Sequence, residues 1–171
     1  MIHAMIDIET LGVGTQAPLF EIGCVLFNPE NGEEISHMHA HVDIMDVMWR
    51  TGRCPQVGTL NWWRTQDYDP TVVDGRVTLF ESVIDLIALY EGQSVEKTWA
   101  NSPSFDLVIL EGHFASVGEE VPWSYREELD FRTMRWMAKQ KGWEQPEVEP
   151  THNALEDCRL QVALLMEMIN V

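Results

Sequence analysis

The pattern of apolar and polar positions divides the chain into a strand-rich first quarter and a helix-rich remainder. Residues 3–9 read as a strand of mixed apolar content. Residues 20–27, Phe-Glu-Ile-Gly-Cys-Val-Leu-Phe, are mostly apolar and predict a buried second strand. Asn28-Pro29-Glu30-Asn31-Gly32 is a strong turn signal. Residues 34–42 then alternate polar and apolar, which predicts a third strand. Strands joined this tightly must run antiparallel.

Beyond that point the period becomes helical. Residues 59–66 predict a short helix. Leu79, Phe80, Val83, Ile84, Ile87 and Tyr90 hold helical spacing, with Thr78 and Glu81 near the start. Residues 97–100 predict a short strand, and Phe105, Val108, Ile109, Phe114 and Val117 a helix begun near Ser104. Residues 128–131 predict another strand, followed by a helix to about Lys141 that Gly142 and Pro146 end. Asn153 and Glu156 have N-cap and N3 spacing for a last helix over 153–169, whose apolar stripe is Ala154, Cys158, Val162, Leu165 and Ile169. Three leading strands, then alternating helices and strands, imply an α/β fold: a mixed sheet with helices packed on it.

Length narrows this to one expected domain over residues 1–171. No apolar run approaches a membrane span, so no membrane partner is expected. The first residues lack a basic segment and meet Asp7 early, which argues against a secretory signal. Cys24, Cys54 and Cys158 are an odd count without metal-type spacing, as expected of a reduced, cytoplasmic protein. Charge changes the picture more. Asp and Glu number 28 and Lys and Arg 11, a net of −17. That argues against a tight binder of long duplex nucleic acid. It allows a metal enzyme, an acidic binding module or a charge mimic of DNA, and acidic excess also confers solubility.

Three acidic sites then stand out. Asp7 and Glu9 lie two apart on the first strand, so they share a face, with α-carbons about 6.6 Å apart. Asp106 falls at the start of an apolar helix, where it also complements the helix dipole. Asp157 lies in the first turn of the last helix, and His152 lies just before it on a loop. If the four carboxylates converge, they cannot all be ionised without a cation, because like charges raise one another's pKa. All-oxygen ligation suits a hard ion such as Mg²⁺ or Mn²⁺.

Asp7, Glu9, Asp106 and Asp157, with His152 five residues before the last, resemble the DEDDh 3′–5′ exonucleases of the ribonuclease H-like (DnaQ-like) superfamily. The likeness extends to Ile6-Asp7-Ile8-Glu9-Thr10-Leu11-Gly12, Thr59-Leu60-Asn61-Trp62-Trp63, the stretch from Trp99 to Asp106, Asp130-Phe131-Arg132-Thr133, and the stretch from His152 to Cys158. In these it is similar to the T-even phage exodeoxyribonuclease group and the mycobacterial exoribonuclease group.

The resemblance implies a ribonuclease H-like mixed five-stranded sheet with helices on both faces. It implies hydrolysis of terminal phosphodiesters of single-stranded DNA or RNA, with DNA slightly favoured, releasing 5′-mononucleotides. Two Mg²⁺, replaceable by Mn²⁺, would be held by Asp7, Glu9, Asp106 and Asp157, with His152 as general base, a role imidazole suits near neutral pH. Thr10, Leu11 and Gly12 would form the platform for the terminal nucleotide, with Leu11 wedged against a base. Trp62 and Phe105 are candidates for stacking, and one of the adjacent Trp62 and Trp63 is expected in the core. Binding should be weak and non-processive, with shallow salt dependence.

Other features are weaker. Arg126, Arg132, Arg135, Lys139 and Lys141 form the dense basic cluster, which either guides the strand backbone or balances acidic surface. His37, His39 and His41 face one way on a strand, which invites a zinc reading. No acid or cysteine at suitable sequence spacing completes it, so an exposed strand face is expected. The sequence leaves a homodimer open. A third reading, a non-catalytic acidic nucleotide-binding or DNA-mimic protein, has no reason to hold the spacing of the acids and His152.

Overall fold

A computed structural model describes residues 1–66, 68, 70, 75–148 and 151–170. The elements run β1 (Ile2–Thr10), β2 (Leu19–Phe27), β3 (Glu34–His41), α1 (Ile44–Thr51), α2 (Val57–Thr65), α3 (Leu79–Tyr90), β4 (Val95–Ala100), α4 (Asp106–Val117), β5 (Glu128–Asp130), α5 (Phe131–Gln140) and α6 (Ala154–Ile169). The strands form one five-stranded sheet in the order β3-β2-β1-β4-β5. β1 pairs antiparallel with β2, and β2 with β3, while β1–β4 and β4–β5 are parallel.

The period of two along β1 divides the core. Ala4, Ile6 and Ile8 join Leu79, Val83, Leu107 and Phe114 on the α3/α4 face. Met5 joins Phe131, Ala138, Cys158 and Leu165 on the α5/α6 face. Helices therefore cover both faces. β2 is buried along its whole length, as its apolar run requires. Each fully buried Leu, Ile or Phe contributes about 1.5–3 kcal/mol.

The β2–β3 turn closes as expected, with Gly32 at φ 74 donating to the Asn28 carbonyl at 2.8 Å. Thr78 and Glu81 form a reciprocal capping box on α3. The Asn153 side chain accepts the Glu156 N–H at 3.0 Å and caps α6.

Two elements depart from the sequence expectation. α1 has no forecast, because only Ile44 and Val47 of its residues are buried. Its signals are at the ends: Asp43 accepts from Met45 N at 2.8 Å, and Gly52 terminates it at φ 67. β5 ends at Asp130 rather than Phe131, because the Asp130 side chain accepts from Thr133 N at 3.0 Å and starts α5. Among the described residues, no helix is long and apolar enough to cross a membrane.

Candidate active site

β1 continues to Thr10 after its parallel pairing with β4 stops at Ile6 and Ala100. Beyond that rung β1 is paired only with β2, and a crevice opens where the sheet switches from antiparallel to parallel. Asp7 and Glu9 stand in it, opposite Gly23 and Glu21 of β2. Desolvation, then the Asp106 charge, pushes the Asp7 carboxyl well above its ordinary value, against the opposing bond from Gln161. Burial, then the Asp7 charge, pushes Glu9 up to about 9.

Asp106 is the first residue of α4, and its Oδ2 accepts from Ser102 N at 2.9 Å. Burial raises its carboxyl to about 6, opposed by the Ser102 N–H and by Arg132. Asp157 sits in the first turn of α6. Its Oδ1 accepts from Thr151 N at 2.8 Å and Thr151 Oγ1 at 2.9 Å, and its Oδ2 accepts from His152 N at 3.2 Å. This clasp holds His152 at φ 54, the one positive φ outside glycine among the described residues. His152 Nδ1 lies 3.9 Å from Glu9 Oε1.

Asp7, Glu9, Asp106, His152 and Asp157 all line one cleft of about 360 Å³. Ligand atoms of Glu9, His152 and Asp157 lie within 4.8 Å of one another. Carboxylates gathered at short range favour a cation among them. The oxygen-rich donor set fits a hard divalent cation.

A second cleft of about 520 Å³ shares Glu9 and Phe105 with the first and is lined also by Thr10, Gly12 and Trp62. Leu11 does not join them. It is 1% exposed and packs with Phe20, Ile44 and Trp63, so the expected wedge against a base is corrected. Its N–H is also engaged, by the Pro18 carbonyl at 2.9 Å. Thr10 Oγ1 is turned inward to the Gly12 carbonyl at 2.7 Å. The adjacent tryptophans divide as helix geometry demands: Trp63 is buried with Nε1 on the Thr10 carbonyl, and Trp62 is 42% exposed.

Of the basic cluster, Arg132 and Arg135 line the acid cleft. Gln161 escaped the sequence reading. It is one helical turn after Asp157 and donates to Asp7 Oδ1 at 2.9 Å; that i, i+4 spacing was the available signal. The histidine strand also needs correction. Glu21 on β2 accepts from His39 at 2.8 Å, so an acid does complete the group, from the neighbouring strand. His37 pairs instead with Glu34.

This sheet order is that of the ribonuclease H-like fold, and solved structures share the fold. The chain superposes on cell-death related nuclease 4 (CRN-4) with TM-score 0.71 at 12% identity, covering 99% of this chain and 64% of that one. It superposes on E. coli Exonuclease I in complex with a dT13 oligonucleotide with TM-score 0.74 at 15% identity, covering 97% and 40%. For Exonuclease X in complex with 5′ overhanging duplex DNA the TM-score is 0.59 at 22% identity, covering 98% and 90%. The chain thus spans under two thirds of the first two proteins. No curated protein matches the sequence. The family is nevertheless shown: the chain belongs to the 3′-5′ exoribonuclease Rv2179c-like domain family, whose model matches residues 2–169.

Proposed function

We propose that this protein is a divalent-metal-dependent 3′–5′ exonuclease acting on single-stranded ends. The observation that carries the reading is the meeting of Asp7, Glu9, Asp106, Asp157 and His152 in one cleft. Asp7, Glu9 and Asp157 would hold two Mg²⁺ between them, with Asp106 supporting the second. Bound there, the ions supply Lewis-acid stabilisation of the attacking and leaving oxygens.

The chain's own residues do the rest. His152 takes a proton from the attacking water, whose oxygen forms the new bond to phosphorus. The P–O3′ bond breaks, leaving a 3′-hydroxyl on the shortened strand and a 5′-mononucleotide. Gln161 fixes one Asp7 oxygen, so the other is presented to the cleft. Arg132 and Arg135 face the substrate phosphates. The terminal base lies in the neighbouring cleft against Trp62 and Phe105, where stacking is worth about 1–3 kcal/mol per base.

Membership of an exoribonuclease family supports RNA as substrate, and the dT13 oligonucleotide bound to Exonuclease I supports DNA. The two differ at the 2′-hydroxyl. Matched DNA and RNA oligonucleotides of one sequence, incubated with Mg²⁺, test both readings. Stepwise shortening from the 3′ end, lost in Asp7→Ala and in excess chelator, is the expected result. Full activity in either condition overturns the proposal. The acidic-mimic reading predicts no turnover and no Mg²⁺ binding.

A further inference from the structure

A second donor cluster lies beside the acid cleft, on the same face of the sheet. Glu21 pairs with His41 and Gly23 with His39, so both imidazoles stand over β2 next to the Glu21 carboxylate. Gly23 has no side chain to intervene. His39 Nε2 lies 2.8 Å from Glu21 Oε1, and His41 Nδ1 lies 3.7 Å from Glu21 Oε2. The three ligand atoms are within 4.8 Å of one another.

Three observations give this cluster a metal-site character. First, Glu21 is 1% exposed, and among the described residues no Lys or Arg forms an ion pair with it. It stands opposite Glu9, so its charge adds to that of the catalytic acids. A buried carboxylate in such a place needs a cation. Second, His41 Nδ1 is buried with no hydrogen-bond partner. Third, both histidine side chains keep about a quarter of their surface exposed, 25% and 27%, which leaves room for a further ligand.

We infer that Glu21, His39 and His41 form a second metal site taking one ion of the Zn²⁺ class. Two imidazole nitrogens and one carboxylate oxygen, with a position left open, suit Zn²⁺ rather than Mg²⁺. The site is separate from the carboxylate cleft and does not depend on the exonuclease reading. It has a mechanical link to it all the same. Glu21 Oε1 also accepts from Ala154 N at 2.8 Å, at the first residue of α6. An ion here braces the helix end that carries Asp157 and follows His152.

The test uses the full chain with Co²⁺ or Zn²⁺ alone. Glu9→Gln/Asp157→Asn disables the other group able to hold such an ion. That variant should still take up one equivalent of Co²⁺ and show the visible absorption of tetrahedral Co²⁺. Adding His39→Gln/His41→Gln should abolish it. A folded Glu9→Gln/Asp157→Asn protein without that absorption, or persistence of the absorption without both histidines, overturns the proposal. Should Glu9→Gln/Asp157→Asn fail to fold, zinc bound to wild type and to His39→Gln/His41→Gln is counted by equilibrium dialysis. A loss of one equivalent supports the site, and equal counts overturn it.

Discussion

Trp62 stands edge-on to His152, with ring centroids 4.9 Å apart and planes at 90°. The exposed tryptophan therefore fixes the ring of the proposed base as well as offering a surface to a nucleobase. Trp62→Ala should cost about 10-fold in kcat/KM or more. Trp62→Phe should restore most of it. Steady-state kinetics on a short oligonucleotide separates the two roles: lost stacking raises KM, and a displaced His152 lowers kcat.

Asp7 is destabilising without metal, because it is desolvated beside other carboxylates. Asp7→Asn should therefore abolish activity yet raise the melting temperature of the metal-free protein. For a chain of this size, each kcal/mol gained is worth about 2–4 °C. Scanning calorimetry in chelator measures the effect, and an unchanged or lower melting temperature would contradict it.

The same repulsion makes metal binding a proton-releasing event. Glu9 titrates near 9 in the folded protein against 4.5 ordinarily, so between those values the folded state holds the extra proton. Metal-free stability from this group is full below pH 4.5 and declines as pH rises toward 9. Mg²⁺ competes with that proton, so its affinity should rise over the same interval. Titration calorimetry in buffers of differing ionisation enthalpy should detect the released protons.

His113 sets the acid limit. Its Nε2 accepts from Leu19 N at 3.4 Å, and its Nδ1 lies 2.7 Å from the Ile109 carbonyl and 2.9 Å from the Arg53 guanidinium, a donor that disfavours a second ring proton. Burial, with the Arg53 charge adding to it, lowers its pKa from 6.5 to about 4. The unfolded chain then binds the extra proton between those values. The stabilisation is complete above pH 6.5 and is lost as pH falls toward 4, about 3 kcal/mol in all. Urea unfolding at intervals across that range, with His113→Gln for comparison, tests this.

Gly23 is required by close approach. A β-carbon there would meet the Ala154 backbone at 2.3 Å. Gly23→Ala should push α6 off the sheet, costing about 1–3 kcal/mol. Activity should fall with it, since α6 carries Asp157 and Gln161. Unaltered kinetics would show that the helix end tolerates displacement.

The sheet and its antiparallel start were legible from their apolar runs and turn signal, and α3 and α6 from helical patterns capped by Thr78/Glu81 and Asn153/Glu156. α1 was not, because two buried residues make no period. Within the site, positions in the chain pointed to the acids and His152. Leu11 misled because a platform motif does not reveal which way one side chain turns. Glu21 was missed because sequence spacing cannot report a partner across a β-ladder, where register alone brings it to His39 and His41.

Asp157 is at once a wall of the acid cleft and the clasp on the His152 backbone. One carboxylate thus underwrites two otherwise separate tasks. Genetic damage at this position has no gentle gradient: whatever reorients that side chain also frees the His152 backbone. Among variants arising by drift, those touching Asp157 should sit at a cliff edge, with no half-working ancestors from which selection might climb back.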